Sequence, residues 1–371
     1  MKPILRFTNF DNDWEEIELL KIASEISYGM NAASKEYDGE NKYIRITDID
    51  EQTNKYTHKN IVSPDGDLEE KFLVKENDIL FARTGASTGK TYLYDKNDGK
   101  LYYAGFLIKA NIINHNANFI FQQTKLNKYN NWVKIMSMRS GQPGINSQEY
   151  GSYKFSITSP KEENKVSNFL SLLDKKIELQ SKKIEDLKLF KKGLTNNIFS
   201  NLNVIKEEKL GNICNITTGK LNANAMVENG QYRFYTCAKD FYYIDKYAFD
   251  TEALLISGNG AYVGYIHYYK GKFNAYQRTY VLNQFKSNIQ YIKIYLDSFL
   301  SKRINSEKKE GNTPYIVLST LSDMTIKLTD SKSEEIIINY INSINSKIKK
   351  EELKLNKLNE LKKGLMQNMF V

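Results

Sequence analysis

Several residue types are scarce in this 371-residue chain, and each scarcity excludes something. There are two cysteines, Cys214 and Cys237, with no C-x-x-C spacing, so neither a disulfide framework nor a thiolate zinc site is written here. The three histidines (His58, His115 and His267) are scattered, and no H-E-x-x-H pair is available to hold a metal. Five prolines include no double proline, which excludes the N-P-P-[FY] motif of adenine methyltransferases. No run of 18 apolar residues exists, and the first twenty residues are interrupted by charge too early for a signal peptide. A soluble, cytoplasmic protein with no membrane partner is expected.

What is plentiful is aromatic and basic. Hydrophobic residues make up 41% and aromatic residues 12%, a composition of folded domains. The formal charge is +9, which favours an anionic partner, chiefly nucleic acid, through phosphate neutralisation.

The stretch "RTGASTGKT" (83–91) resembles a nucleotide-binding loop but misses its spacing. A P-loop needs G-x-x-x-x-G-K-[ST] and a helix behind it to present N–H groups to phosphate. Five residues before Gly89 stands Thr84, and the chain continues with alternating aromatics rather than a helical pattern. "PDGDLEEK" (64–71) has the residue types of a nuclease core, crowded into one turn-like segment that reads better as a solvated loop. No catalytic constellation emerges, and no cofactor is expected in this chain.

An internal repeat organises the sequence. "LKLFKKGLTNNIF" (187–199) returns as "LNELKKGLMQNMF" (358–370), an offset of 171. Upstream, Val166, Leu170, Leu173, Ile177, Gln180, Ile184, Leu187, Lys191, Leu194 and Ile198 alternate steps of four and three. Their counterparts are Ile337, Ile341, Ile344, Ile348, Glu351, Leu355, Leu358, Lys362, Leu365 and Met369, with the polar breaks at the same steps. This is the spacing of a coiled-coil seam, and it predicts two long homologous helices, over 161–200 and 331–371. The first, from about Lys161 to Phe199, would be about 58 Å long at 1.5 Å per residue.

The segments before the helices echo one another more faintly. "ILFARTGASTGKTYLY" (79–94) faces "LLISGNGAYVGYIHYY" (254–269), setting Gly85 and Gly89 against Gly260 and Gly264. Both read as strand, glycine turn, strand. "NFIFQQTKLNKYNNWVKIM" (118–136) and "NIQYIKIYLDSFLSKRINS" (288–306) read as helices, each followed by a Gly/Pro turn and a strand-like run. The predicted fold is α+β, with two mixed α/β domains, 1–160 and 201–330, alternating with the two long helices, which pair as a coiled coil. Residues between the glycines project from the hairpin tips: Arg83, Thr84, Ser87, Thr88 and Lys90 in the first, Ser257, Asn259 and Tyr262 in the second. Arginine suits guanine, asparagine adenine, and hydroxyls and lysine suit phosphates.

Taken over its whole length, the chain resembles the specificity subunits of Type I restriction–modification enzymes. The most specific marks are "LKKGLMQNMF" (361–370), its twin "FKKGLTNNIF" (190–199), and "ITSPKEENKVSNFLSLLDKKI" (157–177) leading into the first helix; the second copy has no proline there. The resemblance implies a non-catalytic DNA-reading scaffold, in which each target-recognition domain reads one half of a gapped double-stranded DNA sequence. It implies antiparallel helices that act as a ruler and relate the domains by a pseudo-two-fold axis. Partners would be two methyltransferase subunits using S-adenosylmethionine, and through them motor–nuclease subunits using ATP with Mg. Further candidate DNA contacts on this reading are Arg139, Gln142 and Asn146, Gln277 and Arg278, and more weakly Lys239 and Asn312. Leu173, Ile177, Ile184, Leu187, Ile344, Ile348, Leu355 and Leu358 would hold the coiled coil. Leu194, Phe199, Leu365 and Phe370 would either pack within the chain or receive the methyltransferase subunits. The competing reading is a coiled-coil adaptor that binds proteins and not DNA; more remote ones are a P-loop ATPase or a nuclease.

Overall fold

The computed structural model describes residues 1–138, 142–307 and 315–371. They form two compact units: residues 1–179 with 355–371, and residues 180–354. The division falls inside the long helices. Those helices are Pro160–Ser200 and Ser331–Met369, and each gives one part to each unit. Among the described residues no helix is long and apolar enough to cross a membrane.

Each helix has its own start signal. The first places Pro160 in its opening turn, with the Ser159 carbonyl accepting from the amides of Glu162 and Glu163 at 2.9 and 3.0 Å. The second lacks the proline and uses Asp330, whose carboxylate accepts from the Ser333 amide at 2.9 Å and from its hydroxyl at 2.6 Å.

The first unit is built on an antiparallel sheet of four strands, in the order Ala23–Tyr28, Leu107–Ile112, Asp78–Ala82, Thr91–Leu93. Lys42–Ile44 pairs in parallel with Leu101–Tyr103, and Glu15–Glu18 pairs with Lys154–Ile157 just ahead of the first long helix. The second unit has a six-stranded sheet, Asn215–Thr218, Thr279–Asn283, Phe249–Ser257, Ile266–Ala275, Tyr232–Tyr235, Tyr242–Ile244. Its parallel contact, Tyr232–Tyr235 on Ile266–Ala275, answers the parallel pair of the first unit. Lys206–Lys209 pairs with Thr325–Leu328 ahead of the second long helix. The faint sequence echo is thus a shared topology.

Two expectations change in detail. The helix expected over 118–136 is two, Ala117–Gln123 and Asn127–Met136. Thr124 lies at the break: its hydroxyl donates to the Phe121 carbonyl at 2.8 Å and bonds the Thr91 hydroxyl at 2.7 Å, offering the backbone an alternative to another helical turn. The strand-like runs before the long helices each contain a short helix, Ser147–Ser152 and Leu318–Ser322, then a strand of four residues.

The seam positions are buried or half-buried throughout: Leu173, Ile177, Ile184, Leu187 and Leu194 on one helix, Ile344, Ile348, Leu355, Leu358 and Leu365 on the other. Within each unit the two helix segments run antiparallel. In the first, Val166 and Leu170 share a core with Met366 and Met369; in the second, Phe199 shares one with Ile337 and Ile341. Phe199 meets Tyr291, Tyr295 and Phe299 at ring-centroid distances of 5.9, 5.0 and 5.5 Å. Phe370 meets Trp14 at 6.0 Å and Phe119 at 5.2 Å. Both rings close a domain core, so of the two uses open to them in sequence they take internal packing and have no face to offer a partner.

The polar break at Gln180 has a defined job. Its Nε2 donates to the Glu351 carbonyl at 3.0 Å and to the Glu351 carboxylate at 2.8 Å. Lys183 and Lys354 reach the same carboxylate at 3.1 Å each. Gln180 and Glu351 are repeat counterparts, and in an antiparallel pair a residue meets its own counterpart only at the local dyad. The contact therefore fixes register. The hydrogen bonds from Gln180, Lys183 and Lys354 pull the Glu351 pKa down to about 2. Its stabilising contribution is complete above the ordinary glutamate range and is lost as pH falls toward about 2. Glu351→Gln is expected to flatten that part of the pH dependence of thermal unfolding; curves for the two proteins that stay parallel through the window would contradict this.

Candidate nucleic-acid interface

Both hairpins are made by the same two glycines. Gly85 and Gly260 have φ of +71° and +79°, and Gly89 and Gly264 have φ of +91° and +82°, values that favour glycine. The second glycine of each pair is also pressed against a helix. A Cβ on Gly89 would sit 2.5 Å from Val133 Cγ1, and one on Gly264 would sit 2.7 Å from Ile304 Cδ1. A strand follows each turn, Thr91–Leu93 or Ile266–Ala275. The nucleotide loop's following helix is replaced by strand in both copies.

In the first unit the hairpin tip is tied to a second loop. The Gly85 amide donates to the Pro143 carbonyl at 2.9 Å, and the Ile145 amide to the Arg83 carbonyl at 2.9 Å. This brings Arg83, Thr84, Ser87 and Thr88 beside Gln142 and Asn146. Arg83 lies over the Tyr28 ring, 4.7 Å from its centroid, and Gln142 is exposed. The Tyr28 hydroxyl in turn accepts from the Ser147 amide at 3.1 Å.

Several candidates are committed to structure. Lys90 is mostly covered and pairs with Glu51 at 2.9 Å. Thr88 donates to the Gly85 carbonyl at 2.8 Å, inside the turn. Asn146 caps the helix Ser147–Ser152, accepting from the Glu149 amide at 2.9 Å while its own amide donates to the Glu149 carboxylate at 2.7 Å. These three groups stabilise the tip. Ser257 is fully buried at a strand end and cannot reach a ligand.

In the second unit the exposed candidates gather around the turn. Asn259 bridges to Tyr315, Lys239 lies 5.1 Å from the centroid of exposed Tyr262, and Gln277 donates to the Asn222 side chain at 2.9 Å. Arg278 is exposed, and its carbonyl accepts from the Gly258 amide at 2.9 Å. His267 packs edge-on against Tyr265 with centroids 4.8 Å apart. Burial pushes its pKa below the ordinary value, so near neutral pH the ring is uncharged and its Nε2–H faces the Ala238 carbonyl at 3.0 Å. Arg139 and Asn312 lie outside the described residues.

Pattern reading missed Tyr28, Phe106, Tyr265 and Asn222. Phe106 is 61% exposed at a loop tip beside Arg83, where only the single Gly105 before it marks a turn. Among the described residues no group of three or more His, Cys, Asp or Glu side chains could hold a metal ion.

Gly89→Ala is expected to destabilise the first unit twice over, through its φ and through Val133. Val133→Ala should then cost less thermal midpoint in the Gly89→Ala background than in the wild type, because there it also relieves the clash. Equal costs in the two backgrounds would contradict the steric contact.

Comparisons with known proteins agree with this arrangement. The profile of the "Type I restriction modification DNA specificity domain" matches residues 12–189 and again 205–360. Over 162 residues the chain is 32% identical to the EcoDI specificity subunit of a Type I restriction enzyme from Escherichia coli. That stretch is 44% of this chain and 36% of that subunit, so the match spans about a third of the relative's length. The S subunit of a Type I restriction–modification system from M. genitalium has a similar fold, with a TM-score of 0.65 at 17% identity, over 100% of this chain and 99% of that one. A chain from a structure addressing complex assembly and conformational transition of the type I R-M system gives 0.58 at 15% identity, over 96% and 97%.

Proposed function

The chain belongs to the Type I restriction modification DNA specificity family, and on that premise we propose that it is the DNA-reading subunit of a Type I restriction–modification system. Each unit reads one half of a gapped double-stranded target, and the chain performs no chemistry itself. The observation that carries this is the pair of glycine hairpins. Their backbone is kept alike in the two units, while the side chains at their tips differ. A scaffold held constant beneath variable exposed polar and aromatic groups is what reading two different sequences requires. Methylation of adenine falls to partner methyltransferase subunits carrying S-adenosylmethionine, and cleavage to motor–nuclease subunits using ATP and Mg, in the cytoplasm.

The long helices support a partner present in two copies. Gly193 and Gly364 occupy repeat-equivalent helix positions where an added Cβ would meet nothing within 4 Å. A glycine inside a helix costs about 1 kcal/mol relative to alanine, and nothing in either unit requires it. One turn earlier, Phe190 and Leu361 are also equivalent and are 56% and 53% exposed. A helix face that is glycine and exposed apolar in both copies suits close approach by one partner twice.

Genome-wide mapping of adenine methylation, with and without this gene and with the methyltransferase partner present, tests the reading. Loss of methylation at one split motif is expected. Unchanged methylation by an active partner would overturn it in favour of a protein-binding adaptor. In the same system, Gly193→Ala is expected to raise the thermal midpoint of the isolated chain while weakening assembly with the methyltransferase.

A further inference from the structure

Each unit has, beside its glycine hairpin, a second short loop joining two strands: Ala104–Phe106 in the first and Tyr276–Arg278 in the second. Four backbone hydrogen bonds hold the two loops alike. The Ala104 amide donates to the Ile44 carbonyl at 3.0 Å, and the Tyr276 amide to the Tyr235 carbonyl at 2.9 Å. Each loop closes on itself, Leu107 to Ala104 at 2.8 Å and Thr279 to Tyr276 at 2.8 Å. A glycine amide fastens the far side, Gly29 to Leu107 at 3.1 Å and Gly219 to Thr279 at 3.3 Å. The hairpin turn fastens the tip, Arg83 to Phe106 at 3.0 Å and Gly258 to Arg278 at 2.9 Å. The backbone approach is close enough that a Cβ on Gly29 would lie 2.3 Å from the Ala104 carbonyl oxygen, and one on Gly219 would lie 1.8 Å from that of Ala275.

Phe106 and Arg278 therefore stand at one structural position, fixed in backbone and free in side chain. Neither has a structural use there. Phe106 leaves 61% of its surface in water, which forfeits most of what burying a phenylalanine contributes. Arg278 is exposed, and among the described residues it is the arginine whose guanidinium makes no hydrogen bond, ion pair or ring contact. Arg6, Arg45 and Arg303 pair with Glu162, Asp48 and Glu307, and Arg83 and Arg233 lie over aromatic rings. A rigid backbone under an unpartnered side chain leaves that side chain's groups open to a base edge and removes the backbone share of the ordering cost, so that only side-chain rotamers are fixed on binding.

We propose that this loop-tip position sets the base read by each half: Arg278 takes a guanine through its O6 and N7, and Phe106 packs on a thymine methyl, both in the major groove. The inference rests on the DNA-reading function proposed above. Its test separates the two, because the wild-type methylation map examines the function and the variant maps examine the positions.

Adenine methylation is mapped in cells carrying the complete system with Arg278→Ala, Arg278→Gln or Phe106→Ala. Wild type should yield one gapped motif. Arg278→Ala should relax one G·C position in one half, with discrimination there falling about five- to a hundred-fold. Arg278→Gln should move that position's preference from guanine to adenine, and Phe106→Ala should relax a T·A position in the other half. Thermal midpoints of the purified variants report folding, and the glutamine variant carries the test where the alanine one does not fold. A variant motif identical to wild type overturns the inference. So does an even loss of methylation across all sequences by a folded protein, which marks a phosphate contact.

Discussion

Two helices of 41 and 39 residues, each with a single apolar stripe, dictate the rest of this protein. Such a stripe has to be buried, and each helix meets the other's repeat as its most complementary partner. The antiparallel direction follows from the contacts inside each unit, and the register from the Gln180–Glu351 bond, where a residue meets its own counterpart. Departures from the repeat are local. Lys362 is paired with Asp174, whereas the counterpart of Asp174 is the uncharged Asn345. Burial accordingly pushes the Lys191 pKa down, with Asp297 opposing the shift.

Above the helices, the same economy appears in backbone rather than side chain. Both units spend glycines at the same places: two with positive φ in the hairpin, one facing the neighbouring loop. Those positions permit little substitution, and the intervening tips permit much. The consequence is a pair of platforms with equal geometry and different chemistry. One presents Arg83 on Tyr28, with Gln142 and Phe106 nearby; the other presents Lys239 over Tyr262, with Gln277 and Arg278.

Much of this was legible in sequence because it depends on period and on glycine. The 3–4 spacing gave both helices to within a residue or two, and the paired glycines gave both hairpins. Side-chain availability was less legible. Lys90, Asn146 and Ser257 carry suitable groups for DNA, but an ion pair, a helix cap and a strand end consume them, and those partners are distant in the chain or hidden in its geometry. Phe106 escaped notice for the opposite reason. An apolar residue between two strands reads as core, and only the pairing of the loop with the hairpin turn leaves it outside. The break at Thr124 likewise depends on Thr91, thirty-three residues away, which periodicity cannot register.

On the proposed function, two alike scaffolds read two independent halves of one target. Exchanging residues 205–330 for the corresponding segment of another family member, with the long helices kept, tests it most directly when the methylated motif is sequenced. One half of the motif should change and the other stay the same. A motif that changes in both halves, or in neither while methylation persists, contradicts it.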